Sequence, residues 1–412
     1  MTHLSTSMLP SQDRNDMARF EVLHNIPAPY RVHLFNCLAD ALAARGHVLH
    51  VHFFGSNNPD RPESWKRSLG DARFSHQIWD GYGIRIRGNT LWLNPRLILH
   101  VMRNPPAFLL HGGIWDSFTS LFAVLLTRPK RRIAWIEFNV DIPGRSQGIA
   151  GACKRFLLRR CDTLLVPGQK GLMFLERFMG SELLRKTIVM PNIVDETRFR
   201  DRLPASELEK AREALDLARD PNDTLVLIWP ARLIGHKGVL EFLRHVDKRV
   251  LEGYAIRIIG EGPLRGEILA EIERRELTNH VKLVGKYIDY TLMPAVYQVG
   301  DALLLPSLHD PNPLSTVEAL HSGMPLLLSD RVGNYKEALE AGVNGFGFDP
   351  ADGAAVREAL LKFRALSAEE RAHQGARSAE IGAAAWGSRA CIERAVEGML
   401  ADGRRSAGEH TH

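Results

Sequence analysis

The sequence predicts an α/β protein with two doubly wound parallel-sheet domains in tandem. Short apolar strands alternate with helical segments along most of the chain, which is typical of parallel sheets covered by helices on both faces. The chain of 412 residues is also too long for one hydrophobic core, so two or three domains are expected. A polar stretch containing Pro191 and Pro204 interrupts the alternation and predicts the boundary between the domains.

Residues 19–190 begin with a strand–helix–strand unit and are predicted to form the first domain. Its strands are predicted at 19–24, 47–54, 107–110, 133–136, 163–166 and 187–190. Its helices are predicted at 32–45, 117–126, 149–160 and 170–179. Residues 55–80 are polar and irregular, which predicts a loop over one face of the domain. Residues 1–18 are predicted to form a disordered tail.

The alternation resumes after a linker over 191–222, which holds a charged helix at about 206–218. The second domain, 223–385, has predicted strands at 224–229, 255–259, 281–284, 302–305 and 325–328. Its helical patterns begin at 239 and cover 264–276, 290–297, 313–322, 354–366 and 368–381. A C-terminal helix over 386–402 could pack back on the first domain, and 403–412 are predicted to be a second disordered tail.

Composition indicates a globular protein of a reducing compartment. Hydrophobic residues make up 45% of the chain and charged residues 25%, which are ordinary values for a globular domain. No run of 18 apolar residues occurs, and the first residues lack a secretion signal, so we expect a cytoplasmic protein without a transmembrane helix. The four cysteines are scattered without CxxC spacing, which argues against disulfides and structural zinc.

The charge is unevenly distributed along the chain. Residues 1–170 hold 22 Lys+Arg against 12 Asp+Glu, whereas the remainder holds 31 against 36. A basic half favours an anionic partner such as nucleic acid, a membrane surface or a phosphate-bearing substrate, although many cationic proteins bind nothing through their charge. No nucleic-acid recognition motif or basic patch interleaved with aromatic residues is present, so nucleic acid is not expected as the partner.

The stretch 306–330 combines a strand end, a polar loop and a helix start. Asn312 stands where an N-cap is expected and Pro313 at the first helical position. The amides left free by such a start belong to Leu314, Ser315 and Thr316. Free amides at a helix start attract anions, and the carboxylates of Asp310 and Glu318 flank them. This pattern suits a ligand with phosphates and hydroxyls, but an ordinary strand–helix connection with solvated acids accounts for it equally well.

Two further loops of the second half carry cations and glycines. The loop after the strand 224–229 holds Arg232 and Lys237, which could balance a diphosphate, and Gly235 and Gly238, which allow close backbone approach. The loop after the strand 255–259 reads GEGPLR.

In that second loop, Gly260 and Gly262 could let a ligand lie flat against the backbone. The spacing is not G-x-G-x-x-G, which argues against a dinucleotide site. After the strand 281–284, Lys286 and Tyr287 follow Gly285 at a place where a nucleotide base could meet backbone groups.

Together these loops resemble the second domain of the retaining GT-B glycosyltransferases of family 4, also called glycosyl transferases group 1. The matching pieces are ARLIGHKG, IIGEGPL, VKLVGKY and PSLHDPNPLSTVEALHSGMP, in that order, with MPNIVDETRF resembling the interdomain segment. The resemblance covers about 190–345. It implies a GT-B fold, two Rossmann-like domains facing a cleft, and a nucleoside-diphosphate sugar as donor.

The resemblance also implies a role for each donor-site residue and catalysis without a metal or other cofactor. Arg232 and Lys237 would hold the diphosphate, Glu318 the ribose hydroxyls, and Asp310 the hydroxyls of the sugar. The amides of Leu314 and Ser315 would meet the distal phosphate. The family's acidic pair is usually Glu-x7-Glu, so Asp310 is a departure that leaves the donor sugar open. His309 is better interpreted as a polar loop residue than as a metal ligand.

The first domain is expected to supply the acceptor site through three loops at strand ends. The candidates are Arg31 in PAPYR, His111 in HGGIWD and Glu137 in EFNVD. Many relatives place a histidine near the position of Glu137, where this chain has a carboxylate. That carboxylate could bind a sugar hydroxyl or orient the acceptor, but a structural hydrogen bond remains an alternative for Glu137 and His111.

The segment 153–161 places four cations around Phe156, Leu157 and Leu158. Such a basic amphipathic surface fits an anionic membrane, although an ordinary helix with a solvated cationic face is the simpler interpretation.

The sequence therefore predicts a retaining hexosyltransferase-type enzyme. It would act on a glycan or lipid-linked acceptor of bacterial surface-glycan biosynthesis and would be peripheral to the inner face of the plasma membrane. A catalytically silent GT-B partner and a GT-B epimerase or phosphorylase remain alternatives.

Overall fold

The computed structural model describes residues 18–56, 69–86, 89–115, 117–138, 140–141, 146–217, 224–284 and 288–401. The predicted tails therefore fall outside the described residues, except for Ala18. The chain forms two parallel sheets, one for each predicted domain, and a separate two-stranded hairpin. The exact domain boundaries stay a prediction.

The first sheet has seven parallel strands with the order β3-β2-β1-β6-β7-β8-β9. They are β1 Arg19–His24, β2 Val48–Phe53, β3 Ser75–Ile78, β6 Phe108–His111, β7 Arg131–Trp135, β8 Thr163–Val166 and β9 Thr187–Val189. The hairpin of β4 Tyr82–Ile86 and β5 Asn89–Leu93 stands apart from this sheet. The helices of this half are α1 Pro29–Ala43, α2 Pro95–Arg103, α3 Phe118–Leu126, α4 Gly148–Arg159 and α5 Gln169–Phe174.

Helices cover both faces of the first sheet because consecutive residues of a strand point to opposite faces. Val22 of β1 packs in one core with α1, whereas its neighbour Leu23 packs in another core with α2 and α3. Right-handed crossovers place α2, α3 and α4 side by side on the second of these faces. The run of β8 is buried along its whole length, as expected of a strand covered from both sides.

The second sheet has six parallel strands with the order β12-β11-β10-β13-β14-β15. They are β10 Leu225–Pro230, β11 Tyr254–Ile259, β12 Val281–Val284, β13 Ala302–Leu305, β14 Leu326–Ser329 and β15 Gly345–Phe348. Short helices α6 Glu196–Arg200 and α7 Ala205–Ala214 precede it. The remaining helices are α8 Val239–His245, α9 Lys248–Leu251, α10 Arg265–Arg274, α11 Met293–Gln298, α12 Leu314–His321, α13 Tyr335–Ala338, α14 Gly353–Ala365, α15 Ala368–Trp386 and α16 Ser388–Leu400.

The prediction of a loop over 55–80 is wrong in its last part. β3 lies within it and pairs in parallel with β2, with Ile78 opposite Phe53. Its sequence SHQI is polar because it is the exposed edge strand of the sheet, so the apolar run that marks the other strands is missing. Residues 57–68 of the same stretch lie outside the described part of the chain.

The last helix returns to the first domain. Cys391, Ile392, Ala395 and Val396 of α16 are buried in the core that contains α1. Ser388 fixes the point of return, since its hydroxyl contacts the backbone oxygen of Val194 at 3.1 Å. The chain therefore passes between the domains twice, near Val194 and at Ser388, and these two positions are in contact.

The carboxyl edges of the two sheets face each other. Lys170, which follows β8, donates to the backbone oxygen of Asp330 after β14 at 2.6 Å. The amide of Gln169 donates to a carboxylate oxygen of Glu337 in α13. Loops at strand ends of both domains therefore border one cleft, which is where open parallel sheets bind ligands.

Candidate active site

The strand order of the second sheet reverses between β10 and β13. From β10 the chain proceeds outward through β11 and β12, and from β13 it proceeds the other way through β14 and β15. The loops after β10 and β13 therefore diverge at a switch point and leave a crevice between them, the preferred ligand position in such sheets. The sequence had singled out residues of both loops, Lys237 and Asp310.

Lys237 and Asp310 form an ion pair across this crevice. The side chain of Lys237 is 19% exposed and that of Asp310 is 8% exposed. A backbone hydrogen bond of 2.8 Å from Gly333 to the oxygen of Asp310 also ties this loop to the one after β14. Arg232 lies exposed on the same loop as Lys237, so two cations of the predicted set stand at the crevice.

The two loops of the switch point are locked together by backbone contacts. Gly238 has φ +74°, and a Cβ there would lie 2.2 Å from the backbone oxygen of Pro306. The amide of His309 donates to the backbone oxygen of His236 at 3.2 Å, and the two imidazole rings stack with centroids 4.8 Å apart. The missing side chain of Gly238 therefore lets the loop after β13 approach closely, whereas Gly235 faces open space.

The stacked pair of His236 and His309 was not foreseen as a unit. Burial lowers the pKa of both imidazoles below the ordinary value of 6.5, so both rings are neutral at neutral pH. The sequence does not indicate that the two histidines are neighbours, because they are 73 positions apart on two different loops.

Gly260 and Gly262 have a packing role that the sequence did not predict, and their contact with a ligand stays a prediction. A Cβ on Gly260, which has φ +152°, would lie 1.9 Å from the backbone oxygen of Ala231. A Cβ on Gly262 would lie 2.5 Å from the backbone oxygen of Leu233. These glycines let their loop pack against the loop that carries Arg232. The predicted base contacts of Lys286 and Tyr287 fall outside the described residues.

Helix α12 begins one residue later than predicted. Pro313 is its N-cap, not the first helical residue, and Asn312 makes no capping hydrogen bond. Proline fits this place because its φ of −67° and ψ of 123° are extended. The amides of Leu314, Ser315 and Thr316 still begin the helix, so the predicted anion-attracting end is present.

Several buried polar atoms near this helix start lack a hydrogen-bond partner among the described residues. They are Ser307 Oγ, Asn312 Nδ2, Thr316 Oγ1 and Asn334 Oδ1. The amide of Asn334 fixes the neighbourhood by donating to the backbone oxygen of Pro313 at 3.1 Å. Buried unpaired polar atoms are costly, so this group is what a polar ligand or bound water would satisfy.

Glu318 lies on α12 and is 7% exposed. The buried Tyr297 of α11 donates its hydroxyl to Glu318 Oε2 at 2.7 Å. Burial raises the pKa of Glu318 to about 7, and the Tyr297 hydrogen bond opposes that shift. Its other oxygen, Oε1, has no hydrogen-bond donor among the described residues. Tyr297 was missed by sequence reasoning, since it sits in an apolar helical run.

Arg31 does not reach out toward a substrate. It is 3% exposed, forms an ion pair with Glu137, and donates to the side-chain oxygen of Asn192 at 3.0 Å. Its guanidinium also stands over the ring of Trp135 at 4.3 Å. Arg31 therefore holds Glu137, whose side chain is 42% exposed at the cleft edge of the first sheet.

His111 ends β6 and is completely buried. Neither ring nitrogen has a hydrogen-bond partner in the described part of the chain. Burial, with a contribution from Arg132, lowers the pKa of His111 to about 3. A neutral histidine in the core cannot contact an acceptor as predicted, although the neighbouring Gly112 and Gly113 are partly exposed.

One group of possible metal ligands occurs in the described residues, away from the cleft. Glu21, His52 and His100 come within 4.8 Å of one another beneath α2. The indole of Trp79 donates to His52 Nδ1 at 3.0 Å, so a neutral His52 carries its proton on Nε2, 3.3 Å from Glu21. That arrangement is a buried contact between a histidine and a carboxylate. His309 does not belong to the group.

Comparison with known proteins identifies the crevice-bearing domain. Residues 212–380 match the family model "Glycosyl transferases group 1". The second domain is therefore similar to this family over the matched residues. The match covers the switch-point loops and the whole of α12, so the predicted resemblance to group 1 is confirmed for the second domain.

Curated proteins that are similar in sequence have names that indicate different substrates. The D-inositol 3-phosphate glycosyltransferase of Geodermatophilus obscurus is 29% identical over 52% of this chain and 51% of its own length. The 2-deoxystreptamine glucosyltransferase of Streptomyces kanamyceticus is 27% identical over 46% of this chain and 50% of its own length. The matches thus span about half the length of these relatives.

Solved structures confirm the GT-B fold over nearly the whole chain. HepE of Anabaena, in complex with UDP and glucose, has a TM-score of 0.72 at 16% identity and covers 92% of this chain and 98% of its own. WaaG, described as a glycosyltransferase involved in lipopolysaccharide biosynthesis, has a TM-score of 0.64 at 14% identity and covers 93% of this chain and 100% of its own. At these identities the likeness concerns the fold.

In the described ranges, no helix combines the length and the apolar character needed to cross a membrane.

Proposed function

We propose that the protein is a retaining glycosyltransferase that moves a sugar from a nucleoside-diphosphate sugar to an acceptor hydroxyl. The observation that carries the proposal is the Lys237–Asp310 pair beside the free amides of α12 at the switch point. A cation and a helix start suit a diphosphate, and a carboxylate suits sugar hydroxyls. The group 1 match and the UDP complexes of HepE support the same donor class.

Each donor-side residue has a distinct task in this proposal. Lys237 and Arg232 bind the diphosphate, and the amides of Leu314 and Ser315 contact its distal phosphate. Glu318 accepts hydrogen bonds from the ribose through the oxygen that Tyr297 does not occupy. Asp310 contacts hydroxyls of the transferred sugar, and its short side chain influences which sugar fits.

Catalysis in this scheme is mainly stabilisation of the leaving group. As the bond from the anomeric carbon to the diphosphate oxygen breaks, negative charge develops on that oxygen beside Lys237 and Arg232. The acceptor oxygen attacks the same carbon from the same face, and its proton passes to the departing phosphate. Closure of the two domains aligns donor and acceptor. No metal takes part in this proposed reaction.

The proposed acceptor is a glycan or a lipid-linked intermediate of bacterial surface-glycan biosynthesis. The basic first half of the chain supports an acidic or phosphorylated acceptor at the cytoplasmic face of the plasma membrane. WaaG, which shares the fold, is described as involved in lipopolysaccharide biosynthesis, a pathway of this class. Glu137, held by Arg31 at the cleft edge, is the proposed first-domain contact for sugar or acceptor.

Acceptor-dependent release of a nucleoside diphosphate tests the proposal. The protein is incubated with a panel of nucleotide sugars, with and without extracted lipid-linked acceptors, and the free diphosphate is measured. The proposal predicts release that requires an acceptor and is lost in Lys237→Ala. A protein that binds nucleotide but shows no release with any pair would be a silent partner instead. Formation of an isomeric nucleotide sugar without acceptor would indicate an epimerase.

A further inference from the structure

The outer surface of the first domain carries exposed apolar side chains on three helices. Each of these side chains is between 38% and 52% exposed and lies at or after the middle of its helix. They are Leu99 and Met102 of α2, Phe122, Leu125 and Leu126 of α3, and Phe156 of α4. We call this set the helical patch.

The members of the helical patch share one face of the domain. The helices α2 and α3 are in contact, and Val124 of α3 packs in one core with Leu157 and Leu158 of α4. The inward stripes, such as Val101 and Ala123, already fill the core and are completely buried. The outward-facing side chains are therefore not needed to fill the core of the domain.

The two domains differ in how much apolar surface they expose. In the described part of the chain, twelve large apolar residues are exposed before residue 190 and three after it, namely Leu269, Val343 and Leu361. Single exposed apolar residues are normal, but a contiguous group usually marks an interaction site. The helical patch contains half of the twelve.

Cations predominate around the helical patch. The sequences of α2, α3 and α4 contain no aspartate or glutamate. Arg103, Arg128 and Lys130 lie at or just after the ends of α2 and α3, and their side chains pair with no carboxylate among the described residues. Arg160 follows the end of α4 and stands over the ring of Phe156 at 5.5 Å. Arg159, the last residue of α4, is paired with Glu182 at 2.7 Å.

We propose that the helical patch docks the protein on an anionic lipid bilayer. The apolar side chains would enter the boundary between headgroups and acyl chains, and the four cations would meet lipid phosphates. A surface with apolar residues and predominantly positive charge complements such a bilayer. A second copy of the same cationic patch would instead be repelled.

This surface differs from the one expected from residues 153–161 alone. Leu157 and Leu158 of that segment are buried in the core. Lys154 stands over the ring of Phe138 at 4.3 Å, and Arg155 donates to the backbone oxygen of Phe178 at 3.0 Å. Only Phe156 of its apolar residues faces outward, so one helix alone offers too little surface.

Co-sedimentation of the full chain with vesicles tests the proposal. One set of vesicles contains phosphatidylcholine alone, and the other contains phosphatidylcholine and phosphatidylglycerol in equal parts. The apolar variant is Phe122→Ser/Leu126→Ser, and the charge variant is Arg128→Ala/Lys130→Ala. The matched control is Leu269→Ser/Leu361→Ser, which removes two similarly exposed apolar side chains from the second domain. Circular dichroism confirms that each variant folds.

The proposal predicts binding to the anionic vesicles and weaker binding to the neutral ones. Each cation removed is expected to lower the binding constant about fivefold. The apolar variant is expected to lower it at least about tenfold, with the control unchanged. Absence of binding to anionic vesicles, or equal loss in the control, would overturn the proposal. So would a change from dimer to monomer in the apolar variant without any vesicle binding. The assay contains no donor or acceptor, so its failure would leave the proposed transferase activity untouched.

Discussion

Lys237 and Asp310 form an ion pair across the point at which the strand order of the second sheet reverses. Each group neutralises the other in the protein without ligand, and both are largely shielded from water. A bound diphosphate would compete with Asp310 for Lys237, and a bound sugar would give Asp310 new hydrogen-bond donors. When a nucleotide sugar binds, the contact between Lys237 and Asp310 can therefore be replaced by two contacts, one from Lys237 to the diphosphate and one from Asp310 to the sugar.

Asp310→Asn should separate binding of the diphosphate from transfer of the sugar. Removing the negative charge leaves Lys237 available to phosphate, so affinity for a nucleoside diphosphate without sugar is expected to rise severalfold. Sugar transfer is expected to fall by on the order of 100-fold, since a contact to the reacting sugar is weakened. Titration calorimetry and initial rates check the two parts. Equal losses of both would mean that Asp310 merely positions Lys237.

The affinity for a nucleotide sugar should depend on pH through Glu318. The pKa of Glu318 is about 7, and only its ionised form offers two acceptors to a ribose diol. We expect the dissociation constant to rise about tenfold for each pH unit below 7. Glu318→Gln should show weaker binding with a flat profile between pH 5.5 and about 8. An unchanged slope in that variant would assign the pH dependence to another group.

The same carboxyl group should affect stability in the opposite direction. Its pKa in the folded protein lies above the ordinary value of 4.5, so its contribution is fully present below pH 4.5 and is lost as pH rises through about 7. The loss amounts to up to about 3 kcal/mol of the free energy of unfolding. In urea titrations, wild type should therefore lose stability relative to Glu318→Gln as pH rises through about 7. Parallel curves would contradict a buried, neutral Glu318.

The first-domain carboxylate, Glu137, should matter for turnover as well as for folding. Glu137→Gln keeps a hydrogen-bond acceptor for Arg31 but removes the negative charge beside its buried guanidinium, so we expect the free energy of unfolding to fall by about 1–3 kcal/mol. The rate of transfer should fall at least tenfold if the exposed oxygen contacts sugar or acceptor. Glu182→Gln, at an exposed carboxylate paired with Arg159, is the control. If Glu137→Gln lost stability but kept the wild-type rate of transfer, Glu137 would have only a structural role.

Gly260 and Gly235 should respond differently to alanine. The Cβ of Gly260→Ala would meet the backbone oxygen of Ala231 at 1.9 Å, whereas Gly235 has no atom within 4 Å of its Cβ position. We expect Gly260→Ala to lower the free energy of unfolding by at least about 2 kcal/mol and Gly235→Ala to change it by less than about 1 kcal/mol. If Gly260→Ala instead kept its stability and lost only donor affinity, Gly260 would be a ligand contact after all.

The sequence predicted the fold well where apolar runs mark buried strands. β8, β12 and β13 occur where they were expected, and β8 and β13 are apolar throughout because both of their faces are covered. The exposed edge strand β3 was missed because SHQI lacks that signal. β15 was missed because GFGF holds two glycines, and glycine is depleted in strands.

The sequence singled out residues that the structure places at the crevice, but not their contacts. Lys237, Asp310 and Glu318 were selected because they lie in motifs at or after strand ends, and their roles stay predictions. The Lys237–Asp310 pairing and the Tyr297–Glu318 hydrogen bond depend on which loops become neighbours, which only the folded sheet decides. Arg31 and His111 were expected at the cleft and are buried, because position after a strand does not determine where a side chain points.

Binding of nucleoside diphosphates to wild type and Lys237→Ala tests the central claim most directly. The measurement is the shift of the unfolding midpoint with UDP, ADP, GDP and their glucose esters, with Lys248→Ala as the control for an exposed lysine of the same domain. We predict that at least one nucleotide raises the midpoint of wild type and Lys248→Ala in a concentration-dependent way and that Lys237→Ala loses most of this shift. No shift with any nucleotide, or an undiminished shift in Lys237→Ala, would contradict a diphosphate site at the switch point.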